Sequence, residues 1–171
     1  MKHAFLITAY RDFSSLESSI DQLLKLDESL IFVTVDKKQR AFIKKILKNS
    51  HFLNNARVQW RFDLTINWGS YAHVQAYLDM CQEALNHNAD YFHSMTGQCK
   101  VIVKPSVFID FFRKSNNQSF IEYFNLPKLG WDGRLGGLGR MIVLMPVNMA
   151  NISKELINMW SAFKKCLSYP G

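Results

Sequence analysis

A chain of 171 residues with 48% hydrophobic and 20% charged residues can bury a real core, which excludes a disordered or low-complexity protein. Its 21 basic and 14 acidic residues leave a formal charge of +7, a balance that favours anionic partners such as nucleotide phosphates, nucleic acid or a membrane face. Dispersed arginines without a common nucleic-acid signature speak against nucleic acid, and three scattered cysteines, Cys81, Cys99 and Cys166, against a disulfide framework or a CxxC metal knuckle.

An odd number of unpaired thiols suits a reducing compartment, so the expected location is the cytoplasm. The apolar stretch after Met1 is too short for a secretion signal or a membrane span, and no integral membrane segment is expected. Residues 4–9 read instead as a first buried strand. Arg11-Asp12 then opens a polar break before a helix with Leu16, Ile20, Leu23 and Leu24 on one face. Leu30–Val35 is β-branched and continuously apolar, as in a parallel strand covered on both sides, and Asp36 closes it. A basic helix over 37–48 follows, with Phe42, Ile43, Ile46 and Leu47 at helical spacing and its lysines on a solvated face.

A third strand lies near Arg57–Arg61 and leads to a Trp68-Gly69 turn. The next helix carries Val74, Leu78, Cys81 and Leu85 as its apolar stripe, and a strand over 90–95 ends in the turn Thr96-Gly97-Gln98. Pro105 starts a helix to about Lys114, and Ser119–Glu122 reads as a short strand. Beyond it, glycine-rich 133–139 is a loop, 141–145 a last strand, and Ser153 the cap of a final helix. Alternating strands and helices predict an α/β sheet with right-handed crossovers, whose ligands gather beyond the carboxyl ends of the strands. Tyr10, Asp36, Trp68 and the Thr96 turn all fall there.

Several of these residues have two readings. Asp36 either accepts hydrogen bonds from a ribose or base, or caps the following helix. Trp68 and Gly69 form either a stacking face with a close backbone approach, or a core tryptophan and an ordinary turn. Glu122 either holds acceptor hydroxyls or is a surface carboxylate. Cys99 would need an activating base to act as a nucleophile, and only His93 is near in sequence. The five histidines show no metal-ligand spacing, and no Asp-x-Asp occurs.

Phe32–Lys37, Asn67–Tyr71 with Val74-Gln-Ala76, Thr96–Cys99 and Ser119–Glu122 stand in an order that resembles the core-2/I-branching β-1,6-N-acetylglucosaminyltransferase family, glycosyltransferase family 14. The likeness runs from about Lys2 to Glu122. It implies a GT-A-like, Rossmann-type, mostly parallel α/β sheet flanked by helices and shortened at the C-terminus. Residues 1–122 would be a nucleotide-sugar-binding half, with 123–171 a short C-terminal part packed on the same domain. The implied activity is metal-independent, inverting transfer of N-acetylglucosamine or xylose from a UDP-sugar to a glycan hydroxyl, with no cofactor. By the same resemblance Thr8, Ala9, Asp36, Trp68 and Gly69 would bind the nucleotide, and Thr96, Gly97, Gln98, Cys99 and Glu122 would line the donor and acceptor cleft.

The chain departs from the family pattern at Thr34, where a histidine is usual, at Cys99, where an aspartate is usual, and at Lys100-Val101, where an apolar residue and proline are usual. A thiol is a poorer acceptor than a carboxylate. The family's later half supplies the catalytic carboxylate and the basic residues facing the diphosphate, and neither has a recognisable counterpart here, so no catalytic residue is assigned. The alternative expectation is a non-catalytic nucleotide- or glycan-binding protein completed by a protein partner.

Overall fold

A computed structural model describes residues 1–131 other than 50, 68, 69, 117, 126 and 129. The chain divides into two compact units, Met1–Asn117 and Gln118–Gly171. The first unit holds four strands, β1 (His3–Ala9), β2 (Ser29–Val35), β3 (Val58–Arg61) and β4 (Tyr91–Thr96). They alternate with helices α1 (Phe13–Leu24), α2 (Arg40–Asn49), α3 (Tyr71–Asn86) and α4 (Pro105–Lys114). All strand pairs are parallel and the order is β3-β2-β1-β4.

That order follows from the handedness of the crossovers. Two successive right-handed units place β2 and β3 to one side of β1, with α1 and α2 on one face. The third crossover returns past both strands to set β4 on the other side of β1, which carries α3 over the opposite face. The chain therefore reverses direction between β1 and β4, and the crevice of such a sheet opens at that switch point.

β1 is buried along its whole length, as its apolar run requires. The α1 and α2 face is built on Phe5, Ile7, Ile31, Val33, Leu16, Ile20 and Ile46, with Phe108 and Ile109 of α4 packed against it. The α3 face is thinner, resting on Ala4, Leu6, Phe32, Met80 and Ala84.

Here the stripe read from sequence is corrected. Ala76, Met80 and Ala84 are the buried residues of α3, whereas Val74 is 43% exposed. Small alanines let the helix lie close to the sheet, so the larger aliphatic residues rotate to its flank. The helix over 37–48 also starts later, at Arg40, after a turn through Asp36.

Two anchors lie at the ends of α1. Asp12 caps its N-terminus from a left-handed conformation, accepting from Ser15 N at 3.1 Å. At the other end the Arg57 guanidinium donates to Leu24 O at 2.8 Å, Leu26 O at 3.1 Å and Ser29 Oγ at 3.2 Å. It satisfies carbonyls that a helix end leaves open.

In the second unit the segment Ser119–Glu122 is not a strand, contrary to the reading from sequence. The expected loop over 133–139, strand over 141–145 and final helix lie outside the described residues.

Candidate functional site

The carboxyl end of β1 is tied to both neighbouring strand ends. Gly97 N donates to Thr8 O at 3.0 Å, and Asp36 N donates to Ala9 O at 3.3 Å. Thr8, Ala9, Asp36 and Gly97 thus meet in one place, although they come from three separate strand ends. A small cavity of about 60 Å³ opens there, lined by Thr8, Ala9, Tyr10, Arg11, Thr96, Gly97 and Gln98. Ligand sites commonly enclose about 300–1,000 Å³, so these residues form a floor rather than a whole site.

Each wall has a physical cause. A Cβ added to Gly97 would stand 3.2 Å from Ala9 Cβ and 3.5 Å from Leu16 Cδ1, so a side chain here would crowd Ala9 and push the turn away from β1 by a few tenths of an ångström. The turn closes on sulfur. Thr96 N and Thr96 Oγ1 each lie 3.4 Å from Cys99 Sγ, while Cys99 N donates to Thr96 O at 3.0 Å. The thiol takes the turn-closing place that a carboxylate would fill more strongly.

Lys100, the other departure, reaches across to α1 and donates to Ser15 O and to Ser19 Oγ at 3.0 Å. Ser19 in turn sits 2.8 Å from Cys99 O, so the turn is held down at its far side. Cys99 itself is exposed. His93 is not its base: it is stacked among Phe5, His3, Phe108 and Phe112, and burial, followed by the neighbouring His3, pushes its pKa down to about 4.

Asp36 is buried, and its carboxylate is engaged. Oδ1 accepts from Lys38 N at 3.0 Å and from Ile66 N at 3.2 Å, and Lys38 Nζ is 3.6 Å from Oδ2. It therefore does not cap α2. It closes a local turn and clamps Leu64–Ile66 against the end of β2, with Lys37 N bonded to Leu64 O at 2.8 Å. Trp68 and Gly69 lie outside the described residues. Glu122 lies in the second unit, where its side chain is 83% exposed and 3.6 Å from Lys128 Nζ.

Sequence reasoning missed three residues. Arg11 lines the cavity and stacks its guanidinium over the Tyr10 ring at 5.2 Å from the centroid, placing a cation at the strand ends. Its signal was plain, a basic residue directly after the first strand. His73 and Tyr77, on the first two turns of α3, both approach Thr8 Oγ1, at 3.3 and 3.1 Å. Burial raises the Tyr77 pKa. No local pattern announces them, because the contact spans the sheet.

A larger cavity of about 250 Å³ lies under α3 at the β3 edge, between Phe32, Gln59, Arg61, Asp79, Met80 and Glu83. Its charges answer one another: Arg61 bonds Asp79 at 2.8 Å and Asp63 at 3.0 Å, and Gln75 bonds Asp79 at 2.6 Å. With its charged side chains already paired, and on the β3 edge away from the β1–β4 switch point, it is the weaker site despite its size. Among the described residues no three His, Cys, Asp or Glu side chains converge, and no helix is long and apolar enough to cross a membrane.

A parallel sheet with helices on both faces and a crevice at its switch point is a Rossmann-like α/β arrangement, consistent with the GT-A-like glycosyltransferase fold. Core-2/I-Branching enzyme is the family that matches, over residues 3–165, and the chain belongs to it. Its class is therefore that of the branching glycosyltransferases, and the match extends past Glu122, where the resemblance read from motifs stopped. No curated protein matches the chain.

Proposed function

We propose that this chain binds a UDP-sugar at the carboxyl ends of β1, β2 and β4 and transfers its sugar, N-acetylglucosamine or xylose, to a glycan hydroxyl with inversion. The observation that carries this reading is the meeting of Thr8, Ala9, Asp36 and the Thr96–Cys99 turn at the switch point of a chain belonging to a branching glycosyltransferase family. Small and polar groups there suit a nucleotide lying across the strand ends. Thr96, Gly97 and Gln98 would face the sugar, and Arg11 supplies a cation for the diphosphate. The lack of an Asp-x-Asp pair supports transfer without a metal ion, with basic side chains neutralising the leaving group.

Inverting transfer also needs a carboxylate to take the acceptor proton. None lines the cavity among the described residues. This favours a second reading, in which the chain holds the nucleotide sugar but turns it over only when a partner completes the site. Calorimetric titration with UDP and ADP, with and without EDTA, tests the first step. UDP-selective binding that survives EDTA is expected, and a folded sample that ignores UDP would overturn the proposal. Release of UDP from a UDP-sugar in the presence of glycan acceptors then separates turnover from binding alone.

A further inference from the structure

We propose that His73 is a specificity-determining residue of the nucleotide site, its Nδ1 accepting a hydrogen bond from the nucleoside of a bound uridine nucleotide. The inference rests on the reading that a uridine nucleotide occupies the crevice at the end of β1.

Proton counting fixes which ring nitrogen carries hydrogen towards Thr8. Tyr77 donates its one hydroxyl proton to Met95 O, at 2.9 Å. Its oxygen lies 3.1 Å from Thr8 Oγ1, so the Thr8 hydroxyl is the donor of that pair. Thr8 has then spent its own proton and can only accept from His73. His73 Nε2, 3.3 Å away, must therefore carry hydrogen. A neutral imidazole has one N–H, which leaves Nδ1 as an acceptor.

That acceptor is unspent. Nδ1 bonds no described residue, and the His73 side chain is only half-buried. The ring is also held in place: it packs against Tyr77 at 5.4 Å between centroids, and its backbone N donates to Ser70 O at 3.1 Å. His73 is thus joined through Thr8 to the floor of the cavity and through Tyr77 to β4. A fixed acceptor with a set tautomer rewards an N–H or O–H group and penalises a ligand that lacks one. A uridine nucleotide offers two such sources, the imide N–H of the base and the ribose hydroxyls.

The test pairs changes in ligand with changes in protein. UDP, its N3-methyl analogue and its 2′-deoxy analogue are titrated calorimetrically into the wild type, His73→Phe and His73→Lys, with thermal melting to check folding. His73→Lys can keep a donor towards Thr8 and carries no acceptor. One analogue is expected to bind the wild type about threefold to tenfold more weakly than UDP, the worth of one neutral hydrogen bond. Whichever analogue it is identifies the group, and both variants are expected to bind it and UDP nearly alike.

Equal affinity of the wild type for all three ligands overturns the inference, whether or not a variant folds. So does the same loss in wild type and variants, which would mark His73 as a strut between α3 and β1. A wild type that binds no UDP removes the nucleotide reading itself, a failure distinct from these two.

Discussion

The two faces of the sheet are built differently. Under α1 and α2 the interior is mostly aliphatic and aromatic, with Leu16, Ile20 and Leu23 fully buried against Phe5, Ile7 and Ile31, and the His3–His93 pair lies at its side under α4. Under α3 apolar contact gives way at the carboxyl end to a polar seam, where Thr8 meets His73 and Tyr77 and Arg61 meets Asp79. One face supplies most of the hydrophobic stabilisation, and the other spends part of its area on hydrogen-bonding groups beside the crevice. Stability and recognition are separated across one sheet.

That contrast can be broken most forcefully on the apolar face. Leu16→Ala is expected to cost about 2–5 kcal/mol, read as a lower urea midpoint, because it opens a cavity in place of a side chain with no exposure. It should also weaken UDP binding, since Leu16 supports Gly97 from below.

Acid acts next, on the same face. Burial lowers the pKa of His3, helped by the N-terminal ammonium, and lowers that of His93 to about 4. Both values lie below those of the unfolded chain, so the unfolded state takes up more protons as pH falls. Stability is thus full above the ordinary histidine value of about 6.5 and is lost on the way down to about 4. The loss from His93 is on the order of 3 kcal/mol, and His93→Phe should flatten the pH dependence of the melting temperature across that window.

Smaller changes probe the crevice. Gly97→Ala places a Cβ 3.2 Å from Ala9 Cβ, a rigid neighbour, and should cost about 1–3 kcal/mol while lowering UDP affinity more than a distant change of equal cost. Thr8→Val keeps the shape but removes the hydroxyl between His73 and Tyr77. A loss of about 0.5–1.5 kcal/mol in chemical denaturation is expected. A null result would mean that the seam contributes nothing net to stability.

Much of the first unit was legible because local signals agreed. The continuous apolar run before Asp36 had to be a covered strand, and Pro105 marked the first turn of α4. The α3 face was misread because Ala76 and Ala84 carry little hydropathy yet decide how closely a helix can approach. The strand expected at Ser119–Glu122 rested on Phe120 and Ile121 alone, and two apolar residues are too short a run to define a strand. In the site, the strand ends predicted that Tyr10, Asp36 and the Thr96 turn would lie together, and the family resemblance added Thr8 and Ala9. The sulfur that closes that turn, and the bond from Thr8 to His73, depend on three-dimensional register that no local pattern encodes.

Arg57 bears on how this chain comes together in time. Its guanidinium completes the last turn of α1 from more than thirty residues away, at Leu24 O and Leu26 O. During synthesis the opening strand and helix emerge before their own terminus can be finished. A fragment ending short of Arg57 would leave those carbonyls to water, so α1 should fray at that end until β3 docks. The end of α1 is thus a checkpoint in assembly that passes only when β3 has found its place.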